Sequence, residues 1–190
     1  MREREERTVL SGRVKVDDSC LGGQHPGGKA GRGSENKVPF VAAVETNDQG
    51  HPTRAVFDPV KTFSSEEIAV WARRWLESST TVVSDGLGCF RAVTEAGCIH
   101  EPQVVGAKRK STEMACVAWV NTVLSNLKTA ISGTYHAFSF QKYAHRYLGE
   151  AQYRFNRRFD LRAMFPRLLH AAVTTGNRPS PLMWLRLAEA

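Results

Sequence analysis

Two aspartates stand at positions where carboxylates can bind divalent metal ions. Asp17 follows the alternating strand pattern R-V-K-V at 13–16, and Asp85 follows the buried-type strand pattern T-T-V-V-S at 80–84. Carboxylates at the ends of two strands can meet above a sheet without burying charge in the core, and such a pair can hold Mg²⁺ together with substrate phosphates. Aspartate is also a common turn residue at strand ends, so the two residues alone favour the structural interpretation.

A polar strip on a predicted helix supplies the remaining candidates. An apolar stripe predicts a helix over about 111–132, formed by Val117, Val120, Leu124, Leu127 and Ile131. Asn121 and Lys128 are seven residues apart and therefore lie on nearly the same face, with Ser125 between them. An Asn oxygen can ligate Mg²⁺ and a lysine beyond it can hold a phosphate, but an ordinary solvated helix face would show the same pattern.

The strands and helices that must position these residues are predicted in an order typical of an α/β domain. Strands are predicted at 13–17, 38–46, 53–60 and 80–85, with a hairpin turn at 47–50, and a helix capped by Ser64 or Ser65 reaches to about 77. A short helix, a loop over 101–110, the helix at 111–132, another at 139–159 and a tail with breaks at Pro179 and Pro181 follow. Three strands, a helix, a strand and then helices predict an α/β domain with a mixed sheet.

The composition excludes several classes of protein. The 190 residues, 42% hydrophobic, suffice for one domain with a core. No apolar run is long enough to span a membrane and the first residues are too charged for a signal peptide, so we expect a cytoplasmic protein. The net charge of +7 favours a polyanionic partner. The four cysteines lack C-x-x-C spacing and G-x-x-x-x-G-K-[ST] is absent, which argues against a zinc ribbon and a nucleotide cofactor.

Four motifs in linked order give the sequence a family resemblance over about 13–160. V-D-D-S-C-L-G-G at 16–23 resembles the motif V-D-E-[ST]-x-x-G-G, and V-V-S-D-G at 82–86 resembles the second-aspartate strand. W-V-N-T-V-L-S-N-L-K-T-A-I-S-G-T-Y-H at 119–136, with Y-R-F-N-R-R at 153–158, resembles the C-terminal catalytic block. The chain resembles DDE-type bacterial insertion-sequence transposases of the group that normally carries an N-terminal zinc ribbon, in its Asp-Asp-Asn branch.

The resemblance implies a fold, a site and a reaction. It implies a ribonuclease-H-like catalytic domain at 13–160, with a charged lead-in at 1–12 and a helical tail at 161–190. Asp17, Asp85 and Asn121 become the metal-binding triad and Lys128 the accessory catalytic residue. Asp17 is preferred to its neighbour Asp18, which stands where the motif usually has Glu. The implied reaction is in-line phosphoryl transfer on DNA, assisted by two Mg²⁺ or Mn²⁺ ions.

Two basic groups are candidates for DNA contact. Lys108, Arg109 and Lys110 precede the predicted catalytic helix, and Arg154, Arg157 and Arg158 lie on one side of the following helix. A solvated basic face is the alternative for the second group. The resemblance further implies transposon ends and target DNA as partners, and a homo-oligomer on DNA in the bacterial nucleoid.

The chain departs from the family pattern at its N-terminus. Its first motif begins at residue 16, which leaves no room for the zinc ribbon and helical DNA-binding segment. We therefore expect a truncated copy, a split product or an isolated domain of a transposase, with an intact catalytic core. The alternative is a catalytically inactive remnant that binds DNA or transposase subunits.

Overall fold

The computed structural model describes residues 9–22, 37–103, 118–134 and 140–174. The strands are β1 Arg13–Leu21, β2 Val38–Thr46, β3 Pro52–Pro59, β4 Thr81–Ser84 and β5 Ile99–Pro102. The helices are α1 Ser65–Trp75, a 3₁₀ helix Gly88–Ala96, α2 Ala118–Thr134, α3 Phe140–Asn156 and α4 Leu161–Thr174. The described residues fall into two compact units that divide between Asn156 and Arg157.

One five-stranded sheet of order β3-β2-β1-β4-β5 forms the centre of the first unit. β1, β2 and β3 pair antiparallel, while β4 and β5 run parallel to β1. The turn at 47–50 closes the β2–β3 hairpin, where the amide of Gly50 donates to the carbonyl of Asn47 at 2.8 Å. With helices on both faces, this is the ribonuclease-H-like mixed sheet that was expected.

Two strands differ from the sequence-based expectation. β1 continues to Leu21 because β2 pairs with it along its whole length, from Arg13 opposite Thr46 to Leu21 opposite Val38. Asp17 therefore lies inside β1, so its predicted place at the end of the strand is wrong.

The sequence analysis predicted a loop from residue 101 onwards, where the structure has β5. Its I-H-E-P sequence shows no alternation, and β5 exists because it pairs in parallel with β4 at the edge of the sheet.

Alternation along β1 assigns its side chains to two layers of core. Val14 and Val16 join a cluster with Ile68, Trp71 and Trp75 of α1. Leu21 joins the opposite cluster, which contains the apolar stripe of α2. Because side chains alternate along a strand, Asp17 belongs to the face that α2 covers. Ser64 caps α1 as predicted, its hydroxyl accepting from the amide of Glu67 at 3.3 Å.

The outer edge of β3 is closed by two amide side chains of α3. The amide of Phe57 donates to Gln152 Oε1 at 3.0 Å. Asn156 Oδ1 accepts from the amide of Ala55 at 2.7 Å, and its Nδ2 donates to the carbonyl of Ala55 at 3.0 Å. Four residues of helix rise about 6 Å, close to the roughly 7 Å spanned by two residues of a strand. The two side chains thus pair with β3 as a further strand would.

The described part of the second unit is α4, together with the turn that precedes it. α4 has no buried residue, and Leu161, Phe165, Leu169 and Val173 are exposed at four-residue intervals. The predicted helical tail is thus observed up to Thr174, and the predicted breaks at Pro179 and Pro181 lie outside the described residues. In the described ranges, no helix has the length and apolar character needed to cross a membrane.

Candidate active site

Three carboxylates meet where β4 ends beside β1. Val16 is paired with Ser84, the last residue of β4, so Asp17 and Asp85 are the next residues on two parallel neighbours. One carboxylate oxygen from each of Asp17, Asp18 and Asp85 lies within 4.8 Å of the other two. Asp85 is exposed, while Asp17 and Asp18 are partly buried.

A tight turn holds Asp85 at this place. The amide of Leu87 donates to Asp85 Oδ1 at 3.2 Å, and the amide of Gly86 donates to Ser84 Oγ at 3.4 Å. Gly86 has φ +89°, a backbone conformation that side chains with a Cβ rarely adopt. The S-D-G sequence therefore produces a turn that directs the carboxylate out of the sheet.

The electrostatics of the cluster are those of crowded negative charge. The pKa of Asp17 is raised from 3.8 to about 6, first by burial of the carboxyl group and then by the negative charges of Asp85 and Asp18. The amide of Asp18, which donates to Asp17 Oδ1 at 2.9 Å, and the ammonium of Lys128 act in the opposite direction on the pKa. The amide and the ammonium thus offset only part of the effect that burial and the neighbouring carboxylates have on this pKa.

The donor set fits a hard divalent cation. Mg²⁺ and Mn²⁺ prefer carboxylate oxygens, and one or two carboxylates leave coordination positions for water and phosphate. A cation here would also relieve the repulsion that raises the pKa of Asp17. The three carboxylates are therefore the residues that would hold such an ion.

Asp18 is a member of the cluster that the sequence analysis set aside. Asp17 was preferred because Asp18 stands where the family motif usually has Glu. Since β4 stops at Ser84, no strand among the described residues pairs with Asp17 and Asp18 on that side of β1. Both carboxylates approach Asp85 as a result. The only signal in the sequence was the D-D pair itself.

α2 brings Lys128 to the cluster. α2 packs on β1 and β2, and the charge of Lys128 acts on Asp17 although its side chain is exposed. Asn121 lies seven residues earlier on α2 and is partly buried. Its predicted contact with the metal site stays a prediction.

The predicted DNA-contacting residues have different surroundings. Lys108, Arg109 and Lys110 lie outside the described residues. Arg154 is exposed on α3 and forms an ion pair with Glu150 at 3.5 Å. The helix ends at Asn156, so the prediction that Arg157 and Arg158 lie on it is wrong. In the second unit, Arg158 lies over the ring of Phe159 at 4.3 Å, and burial lowers the pKa of Arg158. The role of these residues in DNA contact is still a prediction.

Comparisons with known proteins give a family and a likeness to solved structures. The family model described as ISXO2-like transposase domain matches residues 9–156. No curated protein matches the chain. A solved structure of the Mos1 transposase paired-end complex with left transposon end is similar at 12% identity and a TM-score of 0.32. The similarity covers 84% of this chain and 56% of the Mos1 chain, so it extends over little more than half of that protein.

Proposed function

Since the chain belongs to the family of ISXO2-like transposase domains, we propose that it catalyses DNA strand cleavage and strand transfer during transposition of an insertion sequence. The family is one of DDE transposases, which are phosphoryl-transfer enzymes. The proposed catalytic domain is 13–160, preceded by the lead-in at 1–12 and followed by the helical tail at 161–190.

The observation that carries the proposal is the approach of Asp17, Asp18 and Asp85 to within 4.8 Å at the end of β4. Burial of Asp17 and the negative charges of Asp85 and Asp18 both raise the pKa of Asp17, so the ionised cluster raises the energy of the metal-free protein. A turn with a purely structural role does not require three clustered carboxylates. Binding of divalent cations is the chemistry that the cluster suits.

Each residue of the site has a distinct proposed task. Asp17 and Asp85 supply carboxylate ligands, and Asn121 supplies a neutral oxygen from α2. Two bound Mg²⁺ or Mn²⁺ ions would activate the attacking hydroxyl and stabilise the leaving oxygen in an in-line displacement. Lys128 is exposed beside Asp17 and orients a DNA phosphate by its charge.

DNA is the proposed substrate and partner. The net charge of +7 supports association with phosphates. We assign the phosphate contacts to Lys108, Arg109, Lys110, Arg154, Arg157 and Arg158. Joining of two transposon ends to one target requires more than one active site, so a homo-oligomer on DNA is part of the proposal.

A plasmid assay tests the proposal directly. The protein is incubated with supercoiled plasmid and Mg²⁺ or Mn²⁺, with Asp85→Ala and an EDTA sample as controls. We expect metal-dependent nicking or joining that the variant lacks. Asn121→Asp and Asn121→Glu should retain activity, whereas Asn121→Ala should lose most of it. A wild-type protein that shifts DNA in a gel but never cuts it would instead favour the inactive DNA-binding remnant.

A further inference from the structure

A serine–histidine pair lies directly behind the turn that presents Asp85. Ser84 Oγ and His100 Nε2 are 2.9 Å apart. Ser84 is fully buried and immediately precedes Asp85, while His100 is partly buried on β5. Neither residue belongs to the carboxylate cluster, so the proposed chemistry leaves the pair without a role.

The register of the sheet explains why the two side chains meet. His100 pairs with Val82 across the parallel ladder, and Ser84 is two residues further along β4 on the same face as Val82. The contact is therefore a diagonal cross-strand pair. Val82 belongs to the core beneath α1, so the pair reaches the end of β4 from the face opposite to α2.

The hydrogen bonds around Ser84 indicate which group donates in its contact with His100. Ser84 Oγ already accepts from the amide of Gly86 at 3.4 Å, so its hydroxyl proton is available for His100 Nε2. Burial lowers the pKa of His100 and Arg91 lowers it further, which favours a neutral ring able to accept at Nε2. The serine hydroxyl thus joins the turn amide to the edge strand.

We propose that His100 is a positioning residue, which fixes Ser84 and through it the turn that directs Asp85 towards the metal ions. The inference rests on the proposed function, because it assigns a task relative to the same site. Asp85 is exposed and its carboxylate is held by one turn hydrogen bond, so its direction depends on the backbone of 84–86. Residues that orient metal ligands typically change metal affinity by about 10- to 100-fold when they are replaced.

Replacement of His100 by its two amide analogues provides the test. The side-chain amide of Gln reaches the position of Nε2, whereas that of Asn is one methylene too short. Binding of Mn²⁺ to the full chain is measured by electron paramagnetic resonance for wild type, His100→Gln, His100→Asn and Ser84→Ala. His170→Asn, on the exposed surface of α4, is the matched control.

We expect His100→Asn and Ser84→Ala to weaken Mn²⁺ binding by about tenfold or more. His100→Gln and His170→Asn should bind as wild type does. Thermal melting without metal identifies a variant that is unfolded, and the affinities are compared below the lowest melting temperature. Wild-type affinity in His100→Asn overturns the proposal, as does a loss of affinity in His100→Gln equal to that in His100→Asn.

Asp85→Ala separates this inference from the proposed function. If Asp85→Ala loses Mn²⁺ while His100→Asn keeps it, the metal site stands and the role of His100 is wrong. If the wild-type chain binds no Mn²⁺, the metal-dependent function fails and the positioning role fails with it.

Discussion

Asp17 and Asp85 lie side by side because β4 ends one residue before the level of Asp17 on β1. The last parallel pair is Val16 with Ser84, after which the chain turns at Gly86. Asp17 is held by the sheet and partly buried, whereas Asp85 is exposed on the turn. The direction of the Asp17 carboxylate is therefore set by the sheet, whereas the direction of the Asp85 carboxylate depends on the hydrogen bonds of a short turn.

Replacement of Asp17 should stabilise the metal-free protein at neutral pH. The pKa of Asp17 is raised from 3.8 to about 6, so its contribution to stability is present below about pH 4 and is lost as the pH rises through about 6. We expect Asp17→Asn to raise the free energy of unfolding by about 1–3 kcal/mol at about pH 8, and by much less near pH 4. Urea unfolding at the two pH values measures this. Asp48→Asn, in the exposed hairpin turn, is the control.

Metal binding should weaken in mild acid. The ligands must be deprotonated, and a pKa of about 6 means that at about pH 5 most Asp17 carries a proton. The apparent affinity for Mn²⁺ should fall about tenfold between about pH 7 and about pH 5. Calorimetric titrations in two buffers of different ionisation enthalpy should also detect proton release near pH 6. A flat affinity over this range would contradict the raised pKa.

Replacement of Lys128 should raise the pKa of Asp17. Its charge lowers the pKa of Asp17, so Lys128→Gln should raise that pKa above its wild-type value of about 6. Carboxyl-carbon NMR titration of the metal-free protein measures the change. Lys142→Gln, at an exposed position of α3, should leave the titration unchanged. Plasmid nicking should also fall in Lys128→Gln, because a phosphate contact is lost.

Asp18 should prove to be part of the metal site. Its carboxylate lies within the 4.8 Å cluster and its charge raises the pKa of Asp17. We expect Asp18→Asn to lower the pKa of Asp17 and still to weaken Mn²⁺ binding at about pH 8 by several-fold, since the site loses a carboxylate. Unchanged or tighter binding at that pH would show that Asp18 only adds repulsion.

Local signals in the sequence predicted the elements whose formation depends on nearby residues. The range of β2, the hairpin turn ending at Gly50 and the Ser64 cap of α1 were predicted correctly, since alternation, turn residues and capping act over a few positions. β5 was missed because it is defined by pairing with β4. Asp85 could be selected from the sequence, but its approach to Asp18 depends on where β4 ends, which is a property of the assembled sheet.

The amide pair on α3 should be important for stability. Asn156→Ala would leave the amide and carbonyl of Ala55 without their partner in a partly buried region. We expect a loss of about 2–4 kcal/mol in the free energy of unfolding, since each such group costs about 1–3 kcal/mol. Asn126→Ala, on the exposed face of α2, should change it by less than about 0.5 kcal/mol. Equal effects of the two substitutions would contradict the importance of the pair.

The closure of β3 by Gln152 and Asn156 also affects how the chain behaves in a crowded solution. An edge strand with unpaired backbone groups can recruit a strand from another molecule and start aggregation. Here the amides of Ala55 and Phe57 are already occupied by side chains of the same chain. Addition of a strand from another molecule at Ala55 and Phe57 would therefore first have to displace Asn156 and Gln152.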